Sequence, residues 1–220
     1  MRGVTWVRQY DMADPVERQT GLDVAAGAVR RGDLVVLPTD TVYGLGTDAF
    51  SPDAVSGLLQ AKGRGRDLPV PVLVGSPQTL DGIATSISDA ARSLVEAFWP
   101  GGLTLVCQVQ PSLQWDLGET RGTVAVRMPL HPVAIELLTE TGPMAVSSAN
   151  RTGAPPATTV AEAVEQLADT VSVYLDGGPA GDPVPSTIVD VTGPAPRLLR
   201  AGAVSEATLR EVAGDLITEP

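Results

Sequence analysis

The sequence predicts an α/β fold in one domain, built on a mixed sheet, and three observations carry that prediction. Short apolar runs rich in Val and Leu recur along the chain and read as buried strands. Helical patterns with clear start signals stand between several of them. In the second half consecutive strands lack an intervening helix, so the chain is not a regular series of β-α-β units.

The elements follow in order. Residues 23–31 read as a helix and 34–37 as the strand after it. Ser51-Pro52 offers an N-cap and an N1 proline for a helix through Ala61. A strand is expected over 70–74; Ser88 then caps a helix over 89–98. Strands over 103–109 and 124–126 precede Pro132, which opens a helix ending near Gly142. A strand over 144–146 follows, then a helix over 160–168 capped by Thr159, then strands over 171–175, 187–191 and 197–199. A helix over 205–213 ends at Gly214, a C-cap residue. No repeat or linker divides the chain, so a single domain over 1–220 is expected.

Composition narrows the function classes. The 220 residues suffice for a sizeable core, and with only 4% aromatics that core must be built from Val, Leu, Ile and Ala. Residues 1–8 hold no apolar leader segment, and no run approaches the roughly 18 apolar residues of a membrane span. A cytoplasmic, membrane-free protein is the expectation. Cys107 and His131 are each the sole residue of their type, which excludes an internal disulfide and leaves no soft or imidazole cluster for zinc. A Ser-His-Asp hydrolase would need His131, which stands at a helix entrance in Pro129-Leu130-His131-Pro132.

A net charge of −11 argues against a broad nucleic-acid surface, which needs clustered Lys and Arg. Lys62 is the only lysine, and it lies in Lys62-Gly63-Arg64-Gly65-Arg66. Three cations in five residues of an acidic protein fit a small anion site, and equally a solvated loop. Pro38-Thr39-Asp40-Thr41-Val42-Tyr43-Gly44-Leu45-Gly46 offers hydroxyls and close backbone approach, but taken alone it also fits a tight turn. It is neither a P-loop nor a Gly-x-Gly-x-x-Gly fingerprint. Ser147-Ser148-Ala149-Asn150-Arg151-Thr152-Gly153 reads as an anion-binding concavity or a capped turn. Ser186, Arg127 and Arg200, each near a strand end, are weak signals singly.

In this order and spacing the segments resemble the YrdC family of threonylcarbamoyl-AMP synthases. The matching pieces are 38–46, Lys62-x-Arg64, Trp99-Pro100-Gly101-Gly102-Leu103-Thr104, Val124-Ala125-Val126-Arg127-Met128-Pro129, Ser148-Ala149-Asn150 with Gly153, Ser186-Thr187-Ile188-Val189-Asp190 and Leu199-Arg200-Ala201-Gly202. They fall within a motif-bearing part of about 15–205. The resemblance implies a twisted mixed sheet flanked by helices, with a concave ligand-binding face. It implies synthesis of threonylcarbamoyl-AMP and pyrophosphate from L-threonine, bicarbonate and ATP. That is the first step of threonylcarbamoyladenosine formation in tRNA, and a separate transferase complex accepts the product.

By the same resemblance Thr41, Arg127, Ser147 and Ser186 bind threonine, with Arg127 on its carboxylate. Lys62, Arg64, Thr123, Ala149, Asn150 and Arg200 bind ATP, and Lys62 with Arg64 is the pair nearest to a catalytic role. Magnesium is expected with the ATP, without assigned protein ligands. Where many members have Asn and His, this chain has Leu68 and Leu73. A serine common after the Ser-Ala-Asn segment is missing from Pro155-Pro156-Ala157-Thr158-Thr159, so its nucleotide contact is either lost or made by Thr158. Two other readings stay open: a carbamoyl-adenylate-forming domain, disfavoured by the single cysteine, and a double-stranded RNA-binding module, disfavoured by the charge. Stable tRNA binding is not expected.

Overall fold

The computed structural model describes residues 7–181 and 183–218. Most of the leader-segment expectation for 1–8, and the domain bounds at 1 and 220, lie outside the described residues.

The first half runs β1 (Gln9–Asp11), α1 (Pro15–Arg30), β2 (Val35–Leu37), β3 (Gly44–Asp48), α2 (Pro52–Lys62), β4 (Val72–Leu73), α3 (Thr79–Ile83), β5 (Ala84–Thr85) and α4 (Asp89–Phe98). It continues through β6 (Leu103–Val109), β7 (Thr123–Arg127), α5 (Pro132–Thr141), β8 (Met144–Ser148) and α6 (Val160–Leu167). The last elements are β9 (Val173–Asp176), β10 (Thr187–Asp190), β11 (Arg197–Arg200), α7 (Glu206–Ala213) and β12 (Ile217–Thr218). One sheet holds all the strands in the order β1-β9-β2-β3-β8-β4-β7-β6-β10-β11-β12, with β5 paired to β6. Parallel pairs such as β6–β10 and β4–β7 alternate with antiparallel pairs such as β3–β8 and β6–β7, so the sheet is mixed.

Strand alternation divides the apolar side chains between two layers. One face of the sheet, carrying Val36, Leu45, Val72, Leu105, Val126 and Val189, packs against Leu58 of α2, Leu94 of α4, Ala163 of α6 and Leu209 of α7. The opposite face, carrying Val35, Leu37, Leu73, Met144 and Val146, packs against Leu22 and Ala25 of α1 and Val133 and Leu137 of α5. Helix cover on that second face stops near β4. Beyond it, β6 and β7 turn Thr104 and Arg127 to the same side, since Leu105 pairs with Val126 and both point the other way. That half of the face lacks helix cover, although Thr104 and Arg127 on it are buried.

The structure departs from the expected elements in three instructive places. The first helix begins at Pro15 rather than 23, with Asp14 as an N-cap accepting from Val16 N and Glu17 N. Its first turn is hidden from an apolar-period reading because Val16 is exposed. Strand β3 occupies 44–48, partly inside the segment read as a loop. Gly44 and Gly46 are poor strand formers, yet a Cβ would lie 2.7 Å from Val146 and 2.8 Å from Met144 at these two positions. The close approach explains the glycines. Finally, only Val72–Leu73 of the expected 70–74 strand is paired as a strand.

Candidate functional site

Buried polar side chains locate the site, because each costs desolvation unless it is partnered. Among the described residues they are Thr39, Thr41, Thr47, Lys62, Thr104, Arg127, Ser147, Asn150, Ser186 and Thr187. Six of these are site residues implied by the sequence, and Thr39 and Thr104 touch two of the six, Thr41 and Ser186. Only Thr47 and Thr187 serve elsewhere, donating to Asp33 O and Val204 O.

Arg127, at the end of β7, is the centre of the first group. Its Nε donates to Gly101 O at 2.9 Å, Nη1 to Thr41 Oγ1 at 2.9 Å and Nη2 to Asp40 Oδ1 at 2.7 Å. The Asp40–Arg127 ion pair is largely buried, with side-chain exposures of 17% and 8%. Burial pulls the guanidinium pKa down, while Asp40 pulls it up and Arg200 lowers it further. The loop holding Thr41 is shaped by Thr39, whose Oγ1 donates to Val42 O at 2.7 Å and accepts from Thr41 N at 3.2 Å. Gly101 N donates to Met128 O at 2.8 Å, and Trp99 Nε1 closes the same turn onto Leu103 O at 2.8 Å. A Cβ on Gly102 would lie 2.6 Å from Ala203 Cβ, so the two glycine-bearing turns fit only as glycine and alanine.

Ser186 extends this group. Its Oγ lies 2.8 Å from Thr104 Oγ1 and accepts from Arg200 Nη2 at 3.1 Å. Arg200 also places Nε and Nη2 on Ser186 O, at 3.0 and 2.6 Å. The two hydroxyls share one bond, so one of their two protons stays free for an acceptor.

A second group forms around the end of α2. Gly63 ends the helix in the left-handed conformation, at φ 60°. Lys62 is 3% exposed and donates to Ser148 O, to Asn150 O at 2.7 Å and to Asn150 Oδ1 at 3.2 Å. Burial, then the neighbouring Arg64 charge, lowers the ammonium to about 8. Arg64 donates Nε to Leu68 O at 2.7 Å, Nη2 to Pro69 O at 3.0 Å and Nη1 to Ser147 Oγ at 3.2 Å. Asn150 turns its Nδ2 back onto Ala154 O at 2.7 Å, and Ala149 N donates to Tyr43 O at 2.8 Å. That last bond ties the second group to the loop of the first.

Thr123 joins neither group. Its hydroxyl donates to Thr120 O at 2.8 Å, and it stands four residues before Arg127 on the same face of β7. At a strand rise of about 3.3 Å per residue, it lies about 13 Å from Arg127 along β7, a separation on the scale of a nucleotide. Leu73 is buried in β4 against the α1/α5 layer, and Leu68 is exposed beside Arg64. Thr158 gives its N–H and hydroxyl to Glu162 Oε2, in the capping of α6.

A family model described as telomere recombination, Sua5/YciO/YrdC, matches residues 27–202. The chain belongs to the Sua5/YciO/YrdC family. A Mycobacterium tuberculosis (strain ATCC 25618 / H37Rv) protein provisionally named threonylcarbamoyl-AMP synthase is 59% identical to it over 205 residues, covering 93% of this chain and 94% of that protein. The threonylcarbamoyl-AMP synthase of Bacillus subtilis (strain 168) is 37% identical over 194 residues, covering 87% of this chain and 56% of that one. The crystal structure of Pyrococcus abyssi Sua5 complexed with L-threonine matches this Sua5/YciO/YrdC chain with a TM-score of 0.91 at 34% identity, covering 98% of this chain and 63% of that one.

Three residues at this site were quoted within sequence motifs but carried no assigned role. Asp40 lies between the two threonines of its loop, Thr104 ends the Trp99–Thr104 motif, and Tyr43 reaches across to the segment after β9. Tyr43 Oη donates to Gly178 O at 2.6 Å and accepts from Gly177 N at 3.0 Å. The signal that could have marked Thr104 is its parity: it is a polar residue between Leu103 and Leu105 in a strand whose alternate side chains build the core. Among the described residues no group of three or more His, Cys, Asp or Glu could hold a metal ion, and no helix is long and apolar enough to cross a membrane.

Proposed function

We propose that this chain is an L-threonylcarbamoyladenylate synthase, a nucleotidyltransferase that joins L-threonine, bicarbonate and ATP. The observation that carries the reading is the joining of Arg127, Thr41 and Asp40 in one buried network at the edge of an uncovered half-sheet, with Ser186 and Arg200 close by. Its relatives' names and the threonine-bound Sua5 support it.

The chemistry follows from positioning. Three of the five N–H groups of Arg127 are engaged by protein atoms, and a planar guanidinium offers the other two to a carboxylate. The free proton of the Thr104–Ser186 pair and the hydroxyl of Thr41 suit a substrate with its own hydroxyl and amine. The threonine ammonium loses one proton to solvent, and the free amine then condenses with bicarbonate to a carbamate and water. A carbamate oxygen then attacks the α-phosphorus of ATP, and pyrophosphate leaves. No protein nucleophile is needed; cations facing the developing charge lower the barrier.

Arg64 supplies such a cation, having two N–H groups beyond its three engaged ones. Lys62 acts through shape and field: its ammonium holds the Ser148–Asn150 turn, whose backbone lines the nucleotide. Thr123, Ala149 and Arg200 complete the ATP side. Among the described residues no group would hold magnesium, so an accompanying ion would take its ligands from the triphosphate and water and would offset phosphate charge. The adenylate passes to a threonylcarbamoyl-transferase complex that acts on tRNA. The net charge of −11 disfavours a tRNA-binding surface on the chain itself.

Pyrophosphate release, with each small substrate omitted in turn, tests the reading. Release that requires both threonine and bicarbonate is expected. Release driven by carbamoyl phosphate instead would move the chain to the carbamoyl-adenylate class.

A further inference from the structure

We propose that Asp40 receives the α-amino nitrogen of the substrate, so that Asp40 and Arg127 together select a zwitterion. The proposal rests on the reading above, in which Arg127 holds the substrate carboxylate.

Asp40 is built for a fixed position. Its Oδ1 accepts from Arg127 Nη2 at 2.7 Å and from the backbone N of Leu130 at 2.8 Å, which clamps the loop after β2 to the turn after β7. Its Oδ2 accepts from no group among the described residues, and an ionised carboxylate has lone pairs on both oxygens. An open acceptor therefore sits next to the guanidinium. On Arg127, one N–H on each terminal nitrogen is likewise uncommitted.

An α-amino acid carries its carboxylate and its nitrogen on the same carbon. A ligand whose carboxylate lies on the free edge of Arg127 therefore holds its nitrogen beside that edge, where Asp40 Oδ2 is the anionic acceptor. Charge agrees with this geometry. Arg127 and Asp40 form a nearly neutral, largely buried pair, and a zwitterion laid against it sets each charge opposite its complement. A 2-hydroxy acid would bring a carboxylate alone, and would leave Asp40 facing a hydroxyl. That acid loses the positive charge opposite Asp40, and an ion pair lost at a largely buried site is costly.

The test is calorimetric binding of two acids to the full chain: L-threonine, and 2,3-dihydroxybutanoate of the same configuration, in which a hydroxyl replaces the amine. The intact protein is expected to bind threonine about tenfold or more tightly than the dihydroxy acid. Asp40→Asn is expected to lose about tenfold or more in threonine affinity while holding the dihydroxy acid within about twofold. Equal losses for both acids would overturn the proposal and reduce Asp40 to a positioning residue for Arg127. Unchanged threonine affinity would overturn it too. If Asp40→Asn does not fold, the unaltered protein decides, because equal binding of the two acids contradicts an amine acceptor. Failure of the parent reading looks different: neither acid then binds.

Discussion

Arg127 Nη1 donates to Thr41 Oγ1 across 2.9 Å, although the two residues stand 86 positions apart. The bond joins the end of β7 to the loop after β2, two motifs with no local reason to meet. It fixes the Thr41 hydroxyl and the Arg127 fork in one frame, which is what a small ligand with a carboxylate and a hydroxyl requires.

Arg127→Ala is expected to weaken threonine use by about 1–3 kcal/mol, the range for losing a charged hydrogen bond. Steady-state kinetics with threonine as the varied substrate check it. Because Asp40 would be left as a partly buried, unpaired carboxylate, thermal unfolding of the variant is expected to come earlier as well. Arg127→Lys keeps the charge and loses the fork, so it should restore stability more than threonine affinity.

Thr104→Val preserves shape in a buried strand position and removes one hydroxyl. The expected result is a fall of about 0.5–1.5 kcal/mol in kcat/KM for threonine, with the KM for ATP unchanged. An effect confined to ATP would assign the Thr104–Ser186 pair to the nucleotide instead.

Tyr43→Phe removes the hydroxyl that holds Gly177 N and Gly178 O. A stability loss of about 1–3 kcal/mol is expected, the range for losing two hydrogen bonds at about 0.5–1.5 kcal/mol each. Limited proteolysis should show faster cleavage near Gly177 and Gly178, because Tyr43 ties that segment to the loop after β2.

Lys62 gives the pH prediction. Burial, then the Arg64 charge, lowers its ammonium from 10.5 to about 8. The folded protein therefore releases this proton first on raising the pH. Between about 8 and 10.5 the unfolded chain holds more protons, so the Lys62 contribution to stability rises with pH in that window and is flat below it. Denaturant unfolding of the protein and of Lys62→Met, at intervals across the window, isolates the effect as the difference between them.

Much of the fold was legible because caps and apolar runs act locally: Ser51, Ser88 and Thr159 each accept the backbone N–H expected of an N-cap. Strand β3 was not legible, since its glycines answer to Val146 and Met144 on a strand about a hundred residues away. The site shows the same division. The family resemblance pointed to Arg127, Thr41 and Ser186, but the ion pair with Asp40 exists only once the loop after β2 meets the end of β7, and the Thr104–Ser186 bond only once β6 and β10 lie side by side. Lys62 is the sharpest case. The family resemblance assigns it to the nucleotide phosphates, whereas its burial at the end of α2 turns the ammonium onto the Ser148–Asn150 turn.

Mass spectrometry of the product formed from ATP, L-threonine and carbon-13 bicarbonate tests the central claim most directly. The account predicts an AMP adduct with the mass of threonine plus one carbonyl, in which that carbonyl carries the label. AMP or ADP without an adduct, or an adduct whose carbonyl is unlabelled, would contradict it.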